Sequence, residues 1–426
     1  MLAALAEGTT TIDNLSPCGD VQRTLDALVA LGARIDRPSP TEAVVYGLGV
    51  RGLGGPPVAL DCGDSGTTMR LLAGLLSGQQ RAFTLSGAPG LSARPMARVV
   101  DPLVAMGADV RAMDGHAPLR GLPAPGGLRG ADIQLGRASA QVGSAVLLAA
   151  LNAQGMTSVR YPSAVRDHTE RLLAGMGAPV RWGAAESQLE GPVARLAPPF
   201  GGRYPVLEDP SAAAFLVAAA TLVPGSDIAL AGVCANPGRT GLFDILSGMG
   251  ARLRLDDLAV LCGEPVATLH AAYGPLRGVR VGGALVPRAV DELPLLAVLA
   301  TQAADTTVLE DAAELRVKET DRIAAMVDGL RAMGADITAR PDGFVAHGPT
   351  PLRGARVEGR DDHRVVMALA VAGLVAEGQT VITDAERIGD SYPGFAAALG
   401  ALGADVRFEP AAGGERGRGD LGPEDG

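Results

Sequence analysis

The sequence predicts an α/β fold of two domains, each assembled from three similar modules. Three observations carry that expectation. A chain of 426 residues exceeds what one ordinary hydrophobic core organises. An apolar helix end followed by Gly-Ala and a short β-prone tail recurs six times along it. The composition is 47% hydrophobic with seven Phe, five Tyr, one Trp and 58 Gly, so the core must be built from Ala, Val and Leu, with many tight turns and close backbone approaches.

The repeated junctions are LVALGARI ending at Ile35, LVAMGADV at Val110, LAGMGAPV at Val180, LSGMGARL at Leu253, LRAMGADI at Ile337 and LGALGADV at Val406. Their glycines, Gly32, Gly107, Gly177, Gly250, Gly334 and Gly403, lie at near-even intervals. Each helix should stop at a Gly that takes the left-handed conformation just past its last turn, and the chain should then enter a strand. Six such modules divide into residues 1–206 and 207–410, with a joint near Phe200–Ser211 where Gly and Pro break the periodicity. Residues 411–426 lack apolar content and are expected to form a disordered tail.

The formal net charge of −10 argues against a general nucleic-acid partner, which calls for a basic balance or stripe. Among 37 Lys plus Arg, Lys318 is the one lysine, a residue to examine in a chain otherwise given to arginine. Cys18, Cys62, Cys234 and Cys262 show no metal-ligand spacing, and the five histidines form no HxxxH pair. No metal site is expected, and reduced thiols in a cytoplasmic protein are the simplest account. The start, MLAALAEG, has no basic n-region. Apolar runs such as AAAFLVAAATLV from Ala212 are about half the roughly 20 residues that a bilayer span requires and should be buried helices.

Several helix starts carry small or cationic residues. In CGDSGTTMRLLAGLL, Gly63, Ser65, Gly66, Thr67 and Thr68 fall before or within a first turn, where free amides and the helix dipole favour a phosphate or carboxylate; Arg70 sits one turn further in. A plain N-cap at Ser65 or Thr67 is the other reading. Arg94 precedes Pro95, a residue favoured at a first helical position. RASAQVGSAVLLAAL offers Ser139, Ala140 and Gln141 at a third start, and RDDHRVVMALAVAGL offers Asp361, Asp362, His363 and Arg364 at a fourth.

The segment DAAELRVKETDRIAAMVDGLRAMGA holds Lys318, Glu319, Asp321 and Arg322. On a helix Lys318 and Arg322 would share one face, repelling unless an anion sits between them or the acids screen them; a solvated charged turn is the alternative. Asp291-Glu292 precede an apolar run, as a helix cap or as a general base facing a hydroxyl. GLGVRG fits a dinucleotide-binding glycine pattern but is followed by LGGPPVALDCG, which cannot supply the required helix, and is set aside. Several Arg, one Lys, a few acids and several helix starts together suit a site that binds two anionic substrates and moves protons with carboxylates.

At these residues the chain resembles the 5-enolpyruvylshikimate-3-phosphate synthase family. GDSGTTMR, RPMARVVDPLVAMGA, SAQVGSAVLLAAL, RDHTERLL, NPGRTG, VDELPLLAV, ELRVKETDRI, DDHRVVMALAV and SYPGF occur in the family's order, to about Phe408. The resemblance implies two inverse β/α domains, each of three βαβαββ units, and a cleft that closes on substrate. It implies transfer of the enolpyruvyl group of phosphoenolpyruvate to the 5-hydroxyl of shikimate 3-phosphate, in the shikimate pathway of aromatic amino acid biosynthesis, by a cytoplasmic monomer needing no cofactor. Position by position, Gly66, Arg94, Gln141, Arg322 and Arg364 resemble the phosphoenolpyruvate site. Ser139, Ala140, Gln141, Arg166, Asp291 and Lys318 resemble the shikimate 3-phosphate site, with Asp291 as proton acceptor and Glu319 as acid-base partner near C3.

Three departures accompany the resemblance. Val165 stands where a Ser or Thr is common, with Ser163 two residues earlier, and Asp390 stands where some members carry a cation. A Lys-Ser-x-x-x-Arg segment expected before ALAEG is not in the sequence, so the start is expected to be cut short. Alternative readings are a chain with impaired turnover, the sister transferase acting on a UDP-sugar, and a binding protein without activity. The sister enzyme's loop cysteine has no counterpart between Arg111 and Arg129.

Overall fold

The computed structural model describes residues 1–409; the tail expected from 411 onward lies outside the described residues. Buried apolar side chains gather in two clusters. One draws on residues from Leu2 to Leu196, the other on residues from Ala213 to Leu399. Leu, Val and Ala dominate both, as the scarcity of aromatics requires. The helix Pro210–Leu222 opens the second cluster and is buried along nearly its whole length, as its unbroken apolar run predicts. No helix of the described residues is long and apolar enough to cross a membrane.

The modules are visible in the sheets. In one, Val58–Asp61 and Phe83–Ser86 run parallel, and the hairpin Asp109–Met113/His116–Leu122 then adds antiparallel to the second strand. A parallel pair cannot be joined by a tight turn, so the helix Gly66–Ser77 makes the crossover. The same order recurs in the sheet built on Asp132–Gln134 and Gly155–Arg160 and in that built on Arg280–Val281 and Asp305–Leu309. The first module borrows its lead strand: Arg203–Pro205 returns to pair parallel with Thr9–Asp13. In the fourth, a single parallel bridge from Glu208 to Val233 stands in the same place.

All six junction glycines lie in the left-handed region, at φ of +101°, +90°, +83°, +81°, +95° and +97° in chain order. Five are followed by the expected strand, beginning at Arg34, Asp109, Val180, Arg252 and Asp336. The sixth is not. The last sheet has two strands, Arg356–Val357 and Val381–Ile382, and residues 404–409 form no strand and are mostly exposed. Among the described residues no strand pairs with them; the Ala404 and Val406 amides donate locally, to the Leu399 and Ala404 carbonyls at 3.1 Å and 3.2 Å.

Two helices of the first core approach unusually closely. A Cβ on Gly74 would stand 2.0 Å from the carbonyl oxygen of Ala145, so only glycine lets Gly66–Ser77 lie against Ala140–Ala150 as it does. That crossing brings the starts of both helices to one edge of the core, which faces residues of the second.

Candidate active site

Four loop-to-helix starts meet between the cores. Ser65 caps Gly66–Ser77 by accepting the Thr68 N–H at 3.2 Å, and Ser139 caps Ala140–Ala150 by accepting the Val142 N–H at 3.3 Å. The Gln141 side chain ties the two starts together, donating to Thr67 Oγ1 at 2.8 Å and accepting from Arg70 Nη1 at 2.6 Å. Opposite, Asp362 caps His363–Gly373 through the Arg364 and Val365 amides, and Asp321 caps Arg322–Ala332 through the Ala324 amide. The plain-cap reading of Ser65 is therefore correct, and it leaves the neighbouring amides and side chains at the cleft.

Ion pairs cross from one core to the other. Arg94 Nη2 lies 3.1 Å from Glu319 Oε1, and Arg166 Nη1 lies 3.3 Å from Asp291 Oδ2. Arg98 and Arg137 both reach Glu314, at 3.1 Å and 3.2 Å. On the second core, buried Arg322 gathers three acids: Asp362 at 2.8 Å, Glu319 at 2.7 Å and Asp291 at 3.5 Å. Lys318 Nζ approaches Asp291 Oδ1 to 3.9 Å. Arg364 forms no ion pair among the described residues; its guanidinium stands 5.8 Å from the Phe215 ring centroid. A Cβ on Gly66 would lie 3.0 Å from Arg70 Nη1 and 3.3 Å from Arg94 Nη1, which places Gly66 against the same cations.

Three local expectations are corrected. Pro95 does not open a helix: the helix is Ala97–Ala105 with Met96 as its cap residue, so Arg94 projects from the loop before it. Lys318 and Arg322 do not share a helix face, because the helix starts at Arg322 and Lys318 is extended. They still converge, each within 4 Å of Asp291, which screens their repulsion. Glu292 occupies a cap position but its carboxyl caps nothing.

Charge balance fixes the protonation states. Burial pushes Asp291 up, but Lys318, Arg166, Arg364 and Arg322 outweigh it and hold the carboxyl well below the usual range. Burial likewise opposes ionisation of Glu319, yet Arg322 and Arg94 bring it down to about 2. Burial lowers Lys318, with Asp291 acting against it. Arg70 is pushed down to about 10 by burial, then by Arg98 and Arg94. The Nε atoms of Arg70, Arg94 and Arg98 and the Nη1 of Arg322 are buried without a hydrogen-bond partner. Unmatched buried donors of positive charge are costly, and an anion seated among them would relieve that cost.

Arg94, Arg166, Asp291, Lys318, Glu319 and Arg322 are thus drawn into one network of ion pairs between the cores. Sequence reasoning missed the supporting set: Asp362 as Arg322's buried partner, Glu314 as the bridge to Arg98 and Arg137, and Asp209 with Arg239. Only Asp362 carried a signal, its place at a helix start; the rest are tertiary pairings that no spacing reveals.

The EPSP synthase (3-phosphoshikimate 1-carboxyvinyltransferase) family model matches residues 1–399. The chain belongs to the EPSP synthase family. A 3-phosphoshikimate 1-carboxyvinyltransferase from Acidithiobacillus ferrooxidans is 47% identical over 402 residues, covering 93% of this chain and 90% of the relative. One from Gloeobacter violaceus is 48% identical over 398 residues, covering 93% and 91%. An EPSP synthase structure from Acinetobacter baumannii superposes with a TM-score of 0.83 at 39% identity, over 94% of this chain and 91% of that one. The enolpyruvyl transferase NikO from Streptomyces tendae shares the fold, with a TM-score of 0.72 at 20% identity over 95% and 91%. The six sheets and two cores are the two-domain inverse β/α fold of the EPSP synthase family.

At two of the departures from the family pattern, Val165 is half-buried and Asp390 lies 3.6 Å from Arg387, which also reaches Asp64 across the cleft at 3.5 Å. Asp390, Arg387 and Asp64 line a cavity of about 380 Å³ with Asp20, Arg23 and Asp61. A larger cavity, about 530 Å³, lies against Val58, Phe83, Met113 and Leu122 and contains none of the site residues. One potential metal-donor group occurs among the described residues, His168, Cys234 and Glu264 with donor atoms within 4.8 Å of one another. Its carboxylate is already engaged by His168 at 2.7 Å, Asn236 at 2.9 Å and Arg171 at 3.6 Å, so a cation there would compete with a guanidinium.

Proposed function

We propose that this chain transfers the enolpyruvyl group of phosphoenolpyruvate to the 5-hydroxyl of shikimate 3-phosphate, with release of phosphate, and that the residues bordering the cleft carry the reaction. The observation behind the assignment of roles is the set of cross-cleft ion pairs. Glu319 and Asp291 pair across the cleft with Arg94 and Arg166, cations suited to two anionic substrates.

Arg94, Arg322 and Arg364 grip the carboxylate and phosphate of phosphoenolpyruvate, for which the planar guanidinium fork is suited; Gly66 and Gln141 border the same place. Ser139, Ala140, Gln141, Arg166 and Lys318 hold shikimate 3-phosphate. Asp291, ionised at neutral pH, accepts the proton of the 5-hydroxyl as its oxygen bonds to C2. Glu319 delivers a proton to C3. It is ionised while Arg322 and Arg94 face it, but phosphoenolpyruvate draws those cations away, and the buried carboxyl then gains affinity for a proton. In the second half-reaction the C2–O bond to phosphate breaks and C3 returns its proton to Glu319. The division into domains 1–206 and 207–410 fits the two cores, and a monomeric, cytoplasmic enzyme completes the reading.

Phosphate release from phosphoenolpyruvate, measured with shikimate 3-phosphate or a UDP-sugar as acceptor, tests the assignment. Release that requires shikimate 3-phosphate is expected; release supported by the UDP-sugar instead would refute it. Gel filtration of the purified chain checks the monomer.

A further inference from the structure

Glu292 stands beside the proton acceptor Asp291 but takes no part in the proposed steps. It is 4% exposed and sits in the short link between the helices Leu285–Ala289 and Leu293–Gln302. The link is pinned: the Glu292 N–H donates to the Ala289 carbonyl at 2.8 Å, and its own carbonyl accepts the Leu295 N–H at 2.9 Å. The two adjacent side chains then part. Asp291 turns to Arg166, Lys318 and Arg322. Glu292 accepts a short hydrogen bond from the hydroxyl of Ser211, at the start of Pro210–Leu222.

That serine is held from the other side. Its hydroxyl accepts from Arg239 Nη2 at 2.8 Å and its amide donates to Asp209 Oδ1 at 3.1 Å, while Arg239 and Asp209 also pair with each other. Asp209, Arg239, Ser211 and Glu292 form one hydrogen-bonded chain that runs inward from exposed Asp209 through half-buried Arg239 to buried Ser211 and Glu292, beside the base. Stability alone gives weak grounds for an acid at this place, since an apolar side chain of similar size often serves a buried site as well or better.

We propose that Glu292 is a positioning residue for the transfer reaction: anchored through Ser211 and Arg239, it fixes the direction in which Asp291 meets the acceptor hydroxyl and leaves Arg364 free for the anionic donor. The proposal rests on the transferase reading above. The charged groups facing Glu292 are Asp291 on its own link, Asp209 and Arg239 beside Pro210–Leu222, and Arg364 on His363–Gly373. Burial and then Asp291 raise the Glu292 carboxyl, against Arg364, Arg239 and the Ser211 hydrogen bond. While Glu292 is protonated, the Asp291-Glu292 pair carries a single negative charge; as rising pH ionises it, a second negative charge competes for Arg364, and binding of phosphoenolpyruvate should weaken.

The test compares wild type, Glu292→Gln and Glu292→Ala by pH profiles of kcat and kcat/KM and by calorimetric binding of phosphoenolpyruvate across the pH range in which the proteins stay folded. Misaiming a catalytic group by an ångström lowers rates by about 10²-fold, so Glu292→Ala should lose at least tenfold in kcat with little change in KM for the acceptor. Glu292→Gln keeps a group that accepts from Ser211 and cannot ionise. It should recover most of kcat and lack the weakening of phosphoenolpyruvate binding that wild type shows as rising pH ionises Glu292. Wild-type kcat in Glu292→Ala, or a Glu292→Gln whose pH dependence matches wild type, would overturn the proposal. Should the alanine variant fail to fold, the glutamine variant's pH dependence decides alone. A wild type without transfer to shikimate 3-phosphate would sink the functional reading, and the binding comparison would still judge Glu292.

Discussion

The two walls of the cleft are built on opposite principles. The wall from the first core carries Arg70, Arg94 and Arg98, each with a buried, unmatched Nε, on loops and helix starts that end at the gap. The wall from the second core is tied together by its own acids, two of which also reach across the gap: Arg322 is shared by Asp362, Glu319 and Asp291, and Asp362 also caps the helix behind it. The first wall waits for an anion; the second keeps its carboxylates ionised and aimed. Removing Asp362, which both pairs with Arg322 and caps a helix, should therefore damage folding and chemistry together, and substitutions on the first wall mainly substrate binding.

The largest effect should come from Asp362→Ala. It leaves Arg322 buried with its nearest partner gone and removes a helix cap. Breaking a buried pair in this way costs about 3–5 kcal/mol, and urea unfolding should show a loss of that order along with loss of turnover. Asp291→Asn spares the packing but removes the proton acceptor, so kcat should fall roughly 10²–10⁴-fold while phosphoenolpyruvate still binds in a calorimeter. Arg94→Ala sharpens the contrast from the other side. Losing charge-assisted hydrogen bonds worth about 1.5–3 kcal/mol should raise KM for phosphoenolpyruvate roughly 10–100-fold, with a melting temperature close to wild type.

The last effect is a pH dependence of stability. Burial, then Arg364, pushes His363 down to about 4, below its ordinary value of 6.5. The unfolded chain therefore binds a proton that the folded one refuses in this window, and stability must fall as pH drops from 6.5 toward 4. The loss should be on the order of 2–3 kcal/mol for a shift of this size. His363→Gln should flatten that part of the melting-temperature profile; a profile unchanged by the substitution would exclude His363 as its source.

The fold was legible because its repeats are local. A glycine ending a helix with positive φ is written in a few residues, and all six behave as read. The sixth strand failed because a strand needs a neighbour, and no local pattern tells whether a partner hairpin is present. The same limit divides the site. Arg94, Asp291, Lys318, Glu319, Arg322 and Arg364 stood out by residue type at helix starts and by the family resemblance, and all border the cleft. Their geometry was misread where it depended on a helix boundary, as for Pro95 and for Lys318 with Arg322. The hydrogen-bonded chain from Asp209 to Glu292 was invisible, since its members come from three separate segments.

The most direct test is phosphorus NMR of the wild-type chain mixed with phosphoenolpyruvate and shikimate 3-phosphate. Inorganic phosphate and a new enolpyruvyl-shikimate phosphate should grow together in equal amounts, and neither should appear when one substrate is left out. Phosphate released without the acceptor, or no reaction while both substrates bind, would contradict the view that the two walls together carry out the transfer.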